Sequence, residues 1–169
     1  MNIIFMGTPD FAIDSLNSIN KSSHNLRCVV TIPDKKVGRG QKIGKSAVKT
    51  YCVSNGIKFL QPLTLNNQDF INELKSFNAD IFVVVAFKIL SENIWTIPKK
   101  GTINIHASIL PNWRGAAPIQ RSIMNLDDET GLSIMKISEE LDTGPVSNIY
   151  KIKLNKKDNT QEISEKLSL

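Results

Sequence analysis

The chain has 169 residues, 41% of them hydrophobic and 22% charged, with a formal net charge of +5. That size fits one domain with a continuous core, and the balance is that of a soluble globular protein. No segment approaches the roughly 20 apolar residues of a membrane span, and the opening MNIIFMGTPD is broken too early by Pro9 and Asp10 to serve as a signal segment.

Asn2 to Met6 reads as a buried strand, ended by Gly7. Thr8 is the expected N-cap of a following helix, with Pro9 at its first position and Ala12, Leu16 and Ile19 on its core face. Strand, tight turn and helix open a doubly wound α/β sheet. The turn carries only Gly7, where dinucleotide sites need several glycines, and no GxxxxGK[ST] loop occurs, which argues against NAD or ATP.

Leu26 to Ile32 is a second strand, followed by the basic segment KKVGRGQKIGK. Its glycines and cations predict a mobile, extended loop able to meet an anionic backbone, against the ordinary alternative of a solvated surface loop. Ser46 to Asn55 predicts a helix stopped by Gly56, Ile57 to Leu60 a short strand, and Asn67 to Phe77 a helix with Phe70, Ile71, Leu74 and Phe77 inward. Ala79 to Phe87 is continuously apolar, as in a central parallel strand covered on both faces. Residues 88–98 read as a connector. Thr102 to Ser108 is the next strand, Pro118 to Leu126 a helix, and Leu132 to Ile137 and Val146 to Leu154 are further strands. The pattern is α/β with a Rossmann-like, mainly parallel sheet. Thr160 is the expected cap of a last helix, and its stop at Leu169 without a Gly or Asn ending suggests a truncated chain. Cys28 and Cys52 lie in apolar surroundings without metal-like spacing and read as buried free thiols, which suits a cytoplasmic location.

The chemistry concentrates in GTINIHASILPNWRGAAPIQR. Asn104 and His106, two residues apart on a strand, project from the same face. Asp142 lies in the Gly-containing turn LDTG between two later strands. A lone histidine in an apolar strand is often only a satisfied core residue. Beside an amide and a carboxylate it forms an acyl-transfer set: an oxyanion donor, a proton carrier and an orienting charge. No cysteine is suitably placed and no GxSxG elbow exists, so direct attack of a substrate amine on an activated acyl donor is the expected mechanism.

The sequence resembles the folate-dependent formyltransferases along essentially its whole length. The resemblance rests on FMGTPDFA, IPDKKVGRGQK, NADIFVVVAF, NIHASILPNWRGAAPIQR and LDTG. The NxH followed by S-x-L-P-x-x-x-G marks the superfamily, while RGAAPIQR and the GRG loop point to its methionyl-tRNA branch. The resemblance implies Asn104, His106 and Asp142 as catalytic residues, and Ser108, Ile109, Leu110 and Pro111 as a tetrahydrofolate-binding segment. It further implies a backbone contact to the pterin from Phe87, Lys88, Ile89 and Leu90, and contact of Arg39 and Lys42 with the acceptor end of initiator tRNA. The implied reaction moves formyl from 10-formyltetrahydrofolate to the amino group of methionine on initiator tRNA, without a metal. A monomeric, cytoplasmic, bacterial-type or organellar enzyme without membrane attachment is expected.

Two details depart from the pattern: Ile109 stands where Leu is commoner, and Lys88 where many members have a Gly-containing variant. Members of the family also continue beyond this length into a C-terminal OB-like tRNA-binding barrel, so residues 1–169 are expected to be a nearly complete catalytic domain without that barrel. The alternatives are a sugar-nucleotide N-formyltransferase, which has less use for the basic loop, a non-catalytic folate- or tRNA-binding fragment, and hydrolysis of the formyl donor.

Overall fold

Ile4, Phe5 and Met6 are wholly inaccessible to solvent and Ile3 nearly so, and the strand that carries them is the centre of the first of two units. The computed structural model describes residues 1–37 and 42–168. Its two units are Met1–Gly101 and Thr102–Leu169. In chain order the first contains β1 (Asn2–Gly7), α1 (Ile13–Lys21), β2 (Asn25–Val30), β3 (Lys35–Val37), β4 (Lys42–Gly44), α2 (Ala47–Ser54), β5 (Phe59–Leu60), α3 (Gln68–Ser76), β6 (Ile81–Val85) and α4 (Glu92–Trp95).

Four of these strands pair in parallel in the order β5-β2-β1-β6. β1 and β6 are buried at nearly every position rather than at alternate ones. This is what a parallel strand covered on both faces requires, and why both read as unbroken apolar runs. The helices are fastened at their starts by short polar side chains. Ser46 Oγ accepts the Lys49 amide at 3.0 Å ahead of α2. Asn67 Oδ1 accepts the Asp69 and Phe70 amides at 2.8 and 3.2 Å ahead of α3, each satisfying donors that the helix itself leaves open. Gly56 adopts φ +63° just past α2, the left-handed stop that its position suggested.

Three local expectations are corrected. Thr8 does not cap the first helix. A 3₁₀ turn, Asp10–Ala12, with Pro9 before it and no side-chain cap, leads into α1. The connector after β6 contains the short α4, and Ala86 at φ 47° turns the chain out of β6. In the basic segment, expected as an extended loop, Lys35–Val37 and Lys42–Gly44 pair as antiparallel strands, with Lys35 opposite Gly44 and Val37 opposite Lys42, while the rest of that expectation, at 38–41, lies outside the described residues. The segment's approach is tied down by Asp34, which accepts Lys49 Nζ at 2.6 Å and Gln61 Nε2 at 3.0 Å. The Gln61 hydrogen bond, then that from Lys49, holds the Asp34 carboxyl below its ordinary range.

The second unit contains β7 (Thr102–His106), α5 (Pro118–Met124), β8 (Glu129–Lys136), β9 (Val146–Lys153) and α6 (Thr160–Ser168). Its strands run β7-β8-β9 and pair antiparallel, with Asn104 opposite Met135 and His106 opposite Ser133. The strands expected at 132–137 and 146–154 are thus present, and the parallel part of the fold lies in the first unit. Asn159, not Thr160, caps α6: its Oδ1 accepts the Glu162 amide while Glu162 Oε2 accepts the Asn159 amide, both at 3.0 Å. This is a reciprocal capping box. Among the described residues no helix is long and apolar enough to cross a membrane.

Cys28 and Cys52 are free and fully buried. Burial pushes the Cys28 thiol up to about 12 and the Cys52 thiol up to about 11, far from the reactive thiolate range. Titration with an aromatic disulfide at pH 8 is expected to find no rapidly reacting thiol in the native chain and two after unfolding in denaturant. A fast native reaction at either position would contradict this packing.

Candidate active site

β7 ends at His106 and α5 begins at Pro118, and the loop between them has its backbone hydrogen-bonded at most residues. Ser108 is wholly buried, and its hydroxyl donates to the Asn112 carbonyl at 2.6 Å. Ser133, also wholly buried, reaches across from β8. Its hydroxyl accepts the Leu110 amide at 3.0 Å and donates to the Ser108 carbonyl at 2.7 Å. One hydroxyl thus satisfies a buried donor and a buried acceptor of the segment 108–110, groups that would be costly to leave unpaired. The Leu110–Pro111 peptide is cis.

The imidazole of His106 is buried at 7% exposure and meets a partner at each nitrogen. Nε2 lies 2.9 Å from the backbone carbonyl of Trp113, and Nδ1 lies 3.4 Å from Asp142 Oδ2. A carbonyl can only accept, so this contact assigns a proton to Nε2. Nδ1 is left facing the carboxylate at a distance longer than a good hydrogen bond. Asp142 Oδ2 is itself fixed by the Gly115 amide, which donates to it at 2.8 Å. Asn104, half-buried and one side-chain repeat before His106 on β7, has no hydrogen-bond partner for its carboxamide among the described residues. Its N–H donors are open to a ligand.

This arrangement uses unusual backbone. Trp113, Ala117 and Asp142 have φ of 58°, 55° and 53° without being glycine, and Gly115 has φ +84°. Such conformations cost L-residues of order 1–3 kcal/mol and persist where the surroundings over-determine them. The LDTG turn also packs closely on β8: a Cβ at Gly144 would collide with the Lys136 carbonyl. That approach sets where Asp142 begins.

The structure brings His106 and Asp142 together, Asn104 shares β7 with His106, and Ser108, Ile109, Leu110 and Pro111 follow directly in the same second unit. Leu110 is buried and Pro111 exposed. Phe87, Lys88, Ile89 and Leu90 belong to the first unit, following β6, with Leu90 buried and Lys88 and Ile89 exposed. Lys42 begins β4, and Arg39 lies outside the described residues. Sequence reasoning missed Ser133, the Trp113 carbonyl and the Gly115 amide. Ser133 did leave a trace, as a polar residue at a buried position between apolar neighbours of a strand. Among the described residues no group of three His, Cys, Asp or Glu side chains is placed to hold a metal ion.

Residues 1–168 match the family model described as formyl transferase. The chain belongs to this family. It is 51% identical to the methionyl-tRNA formyltransferase of Pelagibacter ubique over 99% of this chain and 54% of that protein. It is 50% identical to the methionyl-tRNA formyltransferase of Prochlorococcus marinus strain MIT 9215 over 100% of this chain and 52% of that protein. The chain therefore spans about half the length of these relatives. Among solved structures, the phosphoribosylglycinamide formyltransferase of Bacillus halodurans superposes with a TM-score of 0.81 at 14% identity, covering 99% of this chain and 87% of that one. A sugar 3N-formyl transferase gives a TM-score of 0.70 at 22% identity, covering 98% of this chain and 57% of that one. Both likenesses are of fold, and they bear out the Rossmann-like α/β expectation.

Gly115→Ala keeps the amide that holds Asp142 but places a side chain at φ +84°. It is expected to destabilise the fold by about 1–2 kcal/mol, read as a lower denaturant midpoint at unchanged slope. An unchanged midpoint would mean that the loop relaxes freely.

Proposed function

We propose that this chain supplies the formyl-transfer chemistry of a methionyl-tRNA formyltransferase, taking formyl from 10-formyltetrahydrofolate and placing it on the methionine amino group of initiator tRNA. The observation that carries the reading is an Asn104 carboxamide with no partner among the described residues, on the same strand as a His106 ring whose Nδ1 faces Asp142. The relatives at 50 and 51% identity bear the same activity in their names.

The chemistry follows from the donors and acceptors present. The amine nitrogen attacks the formyl carbon, forming the new C–N bond as negative charge gathers on the formyl oxygen. Asn104 N–H donates to that oxygen, a fixed dipole where charge develops. Nε2 of His106 is committed to the Trp113 carbonyl, so Nδ1 is the nitrogen free to take the proton lost by the attacking amine. Asp142 beside it supports the imidazolium that results. The same proton passes to the donor's departing nitrogen as its C–N bond breaks, and the ring returns to its starting form. No covalent enzyme intermediate is needed.

In this reading Ser108, Ile109, Leu110 and Pro111 form a folate-binding wall whose shape Ser133 maintains, and Phe87, Lys88, Ile89 and Leu90 offer backbone to the pterin. Arg39 and Lys42 belong to the basic segment proposed to meet tRNA phosphates. The cations of that segment favour a nucleic-acid acceptor over a sugar nucleotide. The formyl donor is a co-substrate, and the proposal requires no metal.

Incubating the chain with 10-formyltetrahydrofolate carrying labelled formyl and with methionyl-tRNA is expected to place label on methionine. Formate release without formyl-methionine would contradict the transferase reading. Asn104→Ala and His106→Ala are each expected to lower turnover by about 10²–10³, the scale of losing one oxyanion donor or one acid–base group. Normal turnover in either variant would mean that the site is misassigned.

A further inference from the structure

The carbonyl that meets His106 Nε2 belongs to Trp113, and the Trp113 side chain is fastened with unusual completeness. Its indole Nε1 donates to Asp127 Oδ2 at 2.6 Å. The other oxygen of Asp127 accepts from Asn125 Nδ2 at 2.6 Å, and the Asp127 amide donates to the Ser122 carbonyl at 3.0 Å. From α5, Arg121 stacks its guanidinium 5.0 Å from the centre of the indole and donates through Nη1 to the Arg114 carbonyl at 2.9 Å. An anion at the indole's N–H edge and a cation over its face complement the charge distribution of the ring.

These contacts fix a residue whose own backbone preference is against it. Trp113 has φ 58°, a region that a bulky residue adopts only when the surroundings enforce it. A left-handed φ is costly for a bulky L-residue, so the indole's anchors help to hold the Trp113 peptide, and with it the carbonyl that meets His106. The anchors therefore act on the imidazole through one backbone group.

We infer that Asp127 is a positioning residue: by holding Trp113 it keeps the proton of neutral His106 on Nε2 and leaves Nδ1 as the nitrogen that faces Asp142. This deepens the reading proposed above, because proton transfer there uses Nδ1. Asp127 touches none of the groups proposed to react. Its influence runs from carboxylate to indole, from indole to backbone carbonyl, and from carbonyl to imidazole. Asp142 cannot fix the tautomer in the same way, because a carboxylate beside Nδ1 favours a proton on that nitrogen. The Trp113 carbonyl is the group that opposes it.

The chain has only two histidines, and His24 lies in an exposed bend, so imidazole ¹⁵N signals can be read directly on the ¹⁵N-labelled chain at a pH where both rings are neutral. The native chain is expected to show His106 as the Nε2–H tautomer. Trp113→Phe removes the indole N–H but keeps an aromatic ring, and Asp127→Ala removes the acceptor. Each is expected to shift the His106 tautomer ratio toward Nδ1–H by up to about tenfold, the scale of one hydrogen bond's bias, while amide signals of β9 stay in place. Asp127→Asn, which retains an acceptor oxygen once Asn125 turns its amide, is expected to keep the native ratio. An unchanged ratio in folded Trp113→Phe would overturn the inference, as would loss of the ratio in Asp127→Asn. Because this readout needs no substrate, it is separable from the functional reading. A shifted tautomer with undiminished formyl transfer in the same variant would support the positioning role and sink the use of Nδ1 in the reaction.

Discussion

The second unit depends on a single buried imidazole held between a carbonyl and a carboxylate. His106 meets Trp113 at Nε2 and Asp142 at Nδ1, and these two partners make opposite demands on the proton of the neutral ring. Much of the surrounding irregular backbone serves to bring them there. Trp113, Gly115, Ala117 and Asp142 all take left-handed conformations, and the Gly115 amide ties the loop to the same carboxylate oxygen that faces the ring. Strain of this kind is tolerated because each affected residue is tied by side-chain or backbone bonds to a regular element.

Two regular elements provide that support. β8 places Ser133 opposite His106 in register and uses its hydroxyl to clamp the chain leaving β7. α5 and the turn after it provide Arg121 and Asp127, which grip Trp113 and Arg114, and Asn125, which bonds Asp127. The reactive groups are few and their positioning groups many, as expected where a side chain must be held within a fraction of an ångström. Asn104 is the exception, for its carboxamide has no partner among the described residues. In a site otherwise so thoroughly bonded, that amide is the strongest pointer to where a ligand's oxygen belongs.

What could be read from the sequence divides along a physical line. Asn104, His106 and Asp142 were legible because strand periodicity and a Gly-containing turn declare side chains. The Trp113 carbonyl and the Gly115 amide were not, since every residue carries such groups and only the folded path aims them. The strand pair β3–β4 was hidden by its composition: lysine and glycine are poor strand formers, and cross-strand pairing overrides that preference. The start of α6 was misplaced by one residue because Asn159 and Thr160 are both competent caps. Glu162, three residues after Asn159, decides between them by closing the capping box. The apolar strands of the first unit were the easiest to find, because burial on both faces leaves them no polar positions.

The central claim is that formyl transfer takes place against Asn104 and the Nδ1 edge of His106. The most direct measurement is a crystal structure of the chain with a stable 10-formyltetrahydrofolate analogue. The account predicts the formyl oxygen at about 2.7–3.1 Å from Asn104 Nδ2, the donor's N10 on the Nδ1 side of His106, and the Trp113 carbonyl still on Nε2. An analogue bound with its formyl group away from Asn104, or reaching His106 through Nε2 with Trp113 displaced, would contradict it.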